Sequence, residues 1–242
     1  MEVNSESPNL QNLEMEKSKT RFFTRVLEIK GICGELNLFQ KEVGDTSCVV
    51  WDACVVLAKY LETLIDRKKN KDLFKSKFVV ELGSGVGGAG LTAASFGYGN
   101  CSSKADVVVT DLPEVISLLW SNIDVNRIVW DANGGKIVAK ELVWGKENTS
   151  DWPTPDLILI ADCVYYDQSL EPLLKTVEEL ARRETEVLIC QELRDTPKQK
   201  DLWEKFFELL EEKFLVTKIP ILDQHPQFSS ADIVLLSARK KF

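Results

Sequence analysis

Three short stretches of this sequence carry residues with chemistry to do. The first is Glu81-Leu82-Gly83-Ser84-Gly85-Val86-Gly87-Gly88. Glycines at this spacing let a backbone approach a cofactor closely, and a helix that opens there offers its first N–H groups. Such triplets recur by chance, so their place between a strand and a helix is what gives them meaning. The alternative is a tight strand-to-helix turn. The second stretch is Asp111-Leu112-Pro113-Glu114. An acid at the end of the second strand of an open α/β sheet can accept both hydroxyls of a ribose. The same residues also read as a helix start, with Asp111 and Glu114 as a capping box and Pro113 in the first turn. The third stretch is Ala161-Asp162-Cys163-Val164-Tyr165-Tyr166, an acid and a tyrosine three apart at a strand end. There the alternatives are an N-cap for Asp162 and a buried ring for Tyr165. No metal chemistry is expected. His225 is the only histidine, and no two of the six cysteines have C-x-x-C spacing.

Stepping outward from these stretches, the chain must alternate strands and helices to bring them together. Residues 1–20 are polar and charged and read as a flexible segment, with one domain over 21–242. Arg25 to Lys30 and Glu35 to Gln40 alternate around Gly31 and Gly34, which predicts a β-hairpin. Asp52 opens a helix that places Ala53, Leu57, Leu61 and Leu64 on one face. Strands follow at Phe78 to Leu82, Ala105 to Thr110, Lys136 to Leu142, Asp156 to Ala161 and Glu186 to Cys190. The helices between them run from Gly88 to Phe96, from Glu114 to about Asn126, and onward from Ser169 as N-cap with Pro172 in the first turn. Lys198 to Lys213 is amphipathic, and Phe214 to Ile219 and Ile233 to Ala238 close the chain as two strands with no helix between them. This alternation demands a mainly parallel sheet covered on both faces, with the last two strands antiparallel.

Composition bounds the partners. Of 242 residues, 44% are apolar and 28% charged, which describes a soluble globular protein and not a rod, a collagen or a disordered chain. The formal charge is −8, from 30 basic and 38 acidic residues. The basic runs Arg67-Lys68-Lys69 and Arg239-Lys240-Lys241 are too short to track phosphates, so no nucleic acid is expected and a cationic substrate suits the chain better. The first thirty residues hold no apolar signal core, and no stretch of ~18 apolar residues could span a membrane. The cysteines then read as free thiols in a reducing cytoplasmic home.

A glycine loop with a following acid leaves two adenosine-binding enzymes open: a nicotinamide oxidoreductase and a methyltransferase using S-adenosylmethionine. Glu81, two residues before the first glycine, and the closing strand pair favour methylation. Asp162 and Tyr165 resemble the Asp-x-x-Tyr signature after the fourth strand of the seven-β-strand protein lysine methyltransferases. Val49-Val50-Trp51-Asp52-Ala53, the glycine loop and Leu142-Val143-Trp144-Gly145 resemble further marks of that family, in order along the chain. Tyr60-Leu61-Glu62-Thr63 and Ser169 to Thr176 resemble most the branch that modifies valosin-containing protein, a hexameric AAA ATPase chaperone. The resemblance implies a Rossmann-like class I methyltransferase fold acting as a monomer on that protein, with trimethylation as product. Other chaperones or translation factors are the alternative substrates, and a non-catalytic adaptor is the alternative class. It further implies that Trp51, Glu81, Gly83, Ser84, Gly85, Asp111, Trp144 and Ala161 hold S-adenosylmethionine, with Asp162 and Tyr165 at the target lysine. One departure stands out: Gln191 occupies a place where relatives carry an aromatic residue, before the matching Glu192 and Arg194. That puts in question the wall facing the substrate.

Overall fold

Short apolar runs ending in turns, each followed by an amphipathic or small-residue run, build one open sheet with helices on both faces. The computed structural model describes residues 21–42, 44, 46–68, 77–96, 106–132, 134–146, 149 and 151–241. The expected flexible segment 1–20 lies outside them.

Strands β1 (Phe22–Leu27) and β2 (Leu36–Lys41) form the hairpin, paired antiparallel from Phe22 with Lys41 to Leu27 with Leu36. Its first strand starts three residues earlier than the alternation suggested, because Gly31 and Gly34, both at positive φ, belong to a longer turn. Helix α1 (Asp52–Lys68) buries Ala53, Leu57 and Leu61 completely, the face its sequence period set aside for the core. Then come β3 (Phe78–Leu82), α2 (Gly88–Ser95), β4 (Asp106–Asp111), α3 (Pro113–Val125), the short α4 (Arg127–Asp131) and β5 (Lys136–Glu141). The second half holds β6 (Leu157–Ala161), α5 (Asp167–Leu180), β7 (Glu186–Glu192), α6 (Pro197–Lys213), β8 (Phe214–Lys218) and β9 (Ile233–Lys240).

The seven strands lie in the order β5-β4-β3-β6-β7-β9-β8. All neighbours are parallel except β9, which runs antiparallel to both β7 and β8. Strand β6 shows why a parallel strand must be apolar throughout. Leu159 joins the cluster under α1, α2 and the hairpin, while Ile158 and Ile160 join the opposite cluster under α5 and α6. The sheet grows outward from β3 in one direction and from β6 in the other. Between these two strands, at their carboxyl ends, lies the crevice where open α/β sheets bind ligands.

One detail corrects the sequence reading, and a second has no counterpart in it. Helix α5 starts at Asp167 after Tyr166, so Ser169 is no N-cap; it sits inside the first turn and its Oγ donates to the Tyr166 carbonyl at 2.8 Å. Pro172 therefore stands deeper in the helix than expected. Gly145 packs directly on it and donates its N–H to Thr176 Oγ1 at 2.9 Å. The second detail is a pair of buried asparagines. Asn122 Oδ1 accepts from Phe39 N and its Nδ2 donates to the carbonyls of Phe39 and Val86. Asn126 does the same for both backbone groups of Asn37. The hairpin is thereby bolted to α3 at the place where the helix pauses before α4.

Candidate active site

The turn from β3 into α2 explains its glycines. Gly83, Gly85 and Gly87 have φ of 62°, 54° and 85°, a region that residues with a Cβ rarely enter. A Cβ at Gly83 would lie 2.6 Å from Cys163 Sγ and 2.9 Å from Trp144 Cζ2, and one at Gly85 would lie 2.9 Å from the Ser47 carbonyl. Both conformation and space therefore require glycine. Ser84 laces the turn to the next strand: its N–H donates to Thr110 O at 2.9 Å, and its Oγ accepts from Thr110 N at 3.0 Å. Glu81 is buried and its Oε2 accepts from Gly90 N at 2.9 Å, which ties the strand end to α2. Burial pushes this carboxyl up to about 8, against the pull of the Gly90 N–H.

At the end of β4, Asp111 Oδ2 accepts from Gly85 N and Oδ1 from Leu112 N, both at 2.7 Å. Asp111 is not at the N-cap position that a capping box requires. Leu112 is the N-cap of α3, and Asp111 stands one residue outside the helix, aimed at the glycine turn.

Asp162 follows β6 with φ 54°, the one non-glycine residue at positive φ among the described residues. Asp and Asn tolerate this conformation better than other side chains. Its Oδ1 accepts from Gln191 Nε2 at 2.7 Å and from Glu192 N at 3.4 Å; its Oδ2 accepts from Arg194 Nη2 at 2.9 Å. Burial raises its carboxyl above the ordinary range, and the Arg194 charge opposes that rise. Gln191 is no substrate-facing wall. It is buried under Asp162, and its amide also accepts from Val164 N at 3.0 Å, pinning the loop that leads to Tyr165.

These pieces enclose one cavity of about 480 Å³. Trp51, Glu81, Gly83, Ser84, Gly85, Asp111, Trp144, Ala161, Asp162 and Tyr165 all line it. Trp51 is positioned by its Nε1, which donates to the Thr46 carbonyl at 2.8 Å. The sequence reading missed Arg194, Leu112 and Lys146 as lining residues. Arg194 had a signal, since it follows a strand that ends beside the Asp162 strand. Leu112 and Lys146 had none, because only the packed fold aims a loop side chain. Among the described residues no group of three or more His, Cys, Asp and Glu is gathered as for a metal ion, and no helix is long and apolar enough to cross a membrane.

The comparisons with known proteins agree with this geometry. A family profile described as lysine methyltransferase matches residues 33–213. Protein N-lysine methyltransferase METTL21A of Danio rerio is 34% identical over 175 residues, covering 72% of this chain and 71% of that protein. Protein-lysine methyltransferase METTL21E of Mus musculus is 32% identical, covering 79% and 70%. Calmodulin-lysine N-methyltransferase of Arabidopsis thaliana is 30% identical, covering 73% and 55%. Among solved structures, a predicted O-methyltransferase from Agrobacterium tumefaciens superposes with TM-score 0.53 at 15% identity, covering 79% of this chain and 82% of that one. At that identity it shows the fold alone.

Proposed function

This chain belongs to the lysine methyltransferase family, enzymes that take their methyl group from S-adenosylmethionine, and on that premise we propose that it methylates a lysine of a partner protein through this cavity. One observation carries the reading. Asp162, held at the end of β6, opens onto the same cavity as the glycine turn and Asp111.

The residues suit the cofactor. With no side chain at Gly83 or Gly85, the turn offers bare backbone to the cavity, where a cofactor would approach closely. A carboxylate oxygen has two lone pairs, so the N–H groups on Asp111 leave room for ribose hydroxyls. Gly83, Ser84, Gly85, Asp111, Trp51, Trp144 and Ala161 would hold S-adenosylmethionine, with Glu81 bracing the turn. When bound, it supplies an electrophilic methyl group on a sulfonium. The chain's own work is to receive the lysine. A free lysine has a pKa of ~10.4, and a partly apolar channel disfavours its charged form. Asp162 captures the ammonium and then orients the neutral amine, while water carries the proton away. Tyr165 shapes the channel. Holding two reactants in line can supply ~7–11 kcal/mol of the acceleration.

The proposed substrate is valosin-containing protein, trimethylated by a monomeric cytoplasmic enzyme with one catalytic domain from residue 21 onward. Of the two segments that support it, Tyr60 to Thr63 is buried in α1 and speaks for kinship. Ser169 and Pro172 line the cavity and bear on recognition. The test incubates the purified protein and labelled S-adenosylmethionine with valosin-containing protein, heat-shock chaperones, elongation factors and calmodulin. Peptide mass spectrometry then reads the lysines. Label on another protein overturns the substrate and keeps the chemistry; label on none favours a non-catalytic adaptor.

A further inference from the structure

We propose that Arg194 is a resident cation of the lysine site, which the incoming ammonium replaces on Asp162 and Trp51. This deepens the lysine-transfer reading and rests on it.

The two oxygens of Asp162 are held in different ways. Oδ1 is fixed from the sheet, by Gln191 Nε2 at 2.7 Å and Glu192 N at 3.4 Å. Gln191 is 3% exposed and also grips the Val164 backbone, so it cannot withdraw. Among the described residues the hydrogen bond to Oδ2 comes from Arg194 Nη2 at 2.9 Å. Arg194 lies just past the end of β7, lines the cavity and has a side chain 32% exposed, against 3% for Asp162. Its guanidinium carbon is 5.0 Å from the centre of the Trp51 ring, in cation–π contact. A target lysine on Asp162 would use the same two surfaces, a carboxylate oxygen and an aromatic face.

The guanidinium also has somewhere to go. The same Nη2 is 3.3 Å from Glu192 Oε2, and the Glu192 side chain is itself 32% exposed. Leaving Asp162 costs Arg194 one ion pair and leaves it another. A buried carboxylate without a counter-ion is unfavourable, so only another cation can take the place. Exchange thus selects a charged amine over a neutral side chain of similar length, and it keeps Asp162 ionised between turnovers.

The test compares wild type with Arg194→Met, which keeps the stem and removes the charge, and with Arg194→Lys, which restores a cation. The probe is N-acetyl-lysine N-methylamide, titrated calorimetrically into protein loaded with S-adenosylhomocysteine. Removing the competitor makes the probe bind Arg194→Met about 5-fold tighter than wild type, the worth of one partly exposed ion pair. Arg194→Lys returns the affinity toward wild type, and adding Asp162→Asn to Arg194→Met abolishes the gain. KM for the protein substrate falls in Arg194→Met. If Arg194 were only a prop for Asp162, the probe would bind Arg194→Met equally or less well and kcat would fall at constant KM. That result overturns the proposal, as does absence of probe binding to every variant. A wild-type protein that methylates no lysine overturns instead the reading beneath it.

Discussion

At the residue scale, Asp162 combines two demands that few side chains meet. Its backbone occupies the left-handed region, and its carboxylate is buried among three donors from or just after β7. Asn satisfies the first demand and not the second. Asp162→Asn is expected to fold like wild type and bind S-adenosylmethionine within a few-fold, while methyl transfer drops at least ~100-fold through loss of positioning. Asp162→Ala adds a backbone cost of ~1–2 kcal/mol. Tyr165→Phe is milder, because only the hydroxyl goes. Turnover of folded Asp162→Asn near the wild-type rate would remove Asp162 from the chemistry. Asp111 is a second acid with two duties, since it holds Gly85 N as well as facing the cavity. Asp111→Ala should weaken cofactor binding by about 2–4 kcal/mol, the loss of two charge-assisted hydrogen bonds. Calorimetry showing unchanged affinity would leave Asp111 as a brace for the glycine turn.

At the element scale, the turn between β3 and α2 depends on a buried acid and a buried glycine. Glu81 holds its proton more tightly folded, at about 8, than unfolded, where Glu titrates near ~4.3. Between those values the folded state binds more protons, so this group lowers stability as pH rises. Glu81→Gln removes that slope. In thermal melts of the cofactor-free protein the variant should exceed wild type by about 3 °C or more near pH ~8, with the gap closing toward pH ~5. Parallel curves would show that Glu81 is ionised in the fold. Gly90 lies opposite: a Cβ there would be 2.2 Å from Val109 Cγ1 and 2.7 Å from Glu81 Oε2. Gly90→Ala should cost about 1–3 kcal/mol by overpacking, read as a lower urea midpoint.

At the scale of the whole molecule, the hairpin is joined to the sheet domain by Asn122 and Asn126. Asn122 also reaches Val86 in the glycine turn, so hairpin and glycine turn share one buried side chain. Asn122→Ala leaves two backbone carbonyls and one N–H without their partner. A loss of about 2–4 kcal/mol is expected, with faster hydrogen exchange in β2 and weaker cofactor affinity together. Exchange confined to the hairpin, with affinity unchanged, would show the two to be independent.

What the sequence determined by itself were properties that repeat or crowd locally. Period and apolar runs marked every strand of the sheet and most helices, because a buried strand must be apolar along its length and a covered helix on one face. The glycines of the turn and the acids at strand ends were legible because backbone conformation and strand ends constrain residue type. Helix starts were less so. Ser169 and Asp111 both resemble caps, yet the cap lies elsewhere in each case, since a polar side chain near a helix start is equally free to bond its own turn or a neighbouring loop. Tertiary structure alone decided the partners of Asp162. Gln191 on β7 and Arg194 just past it reach Asp162 across 29 and 32 residues, and no local pattern sets which side chains meet once two parallel strands are paired.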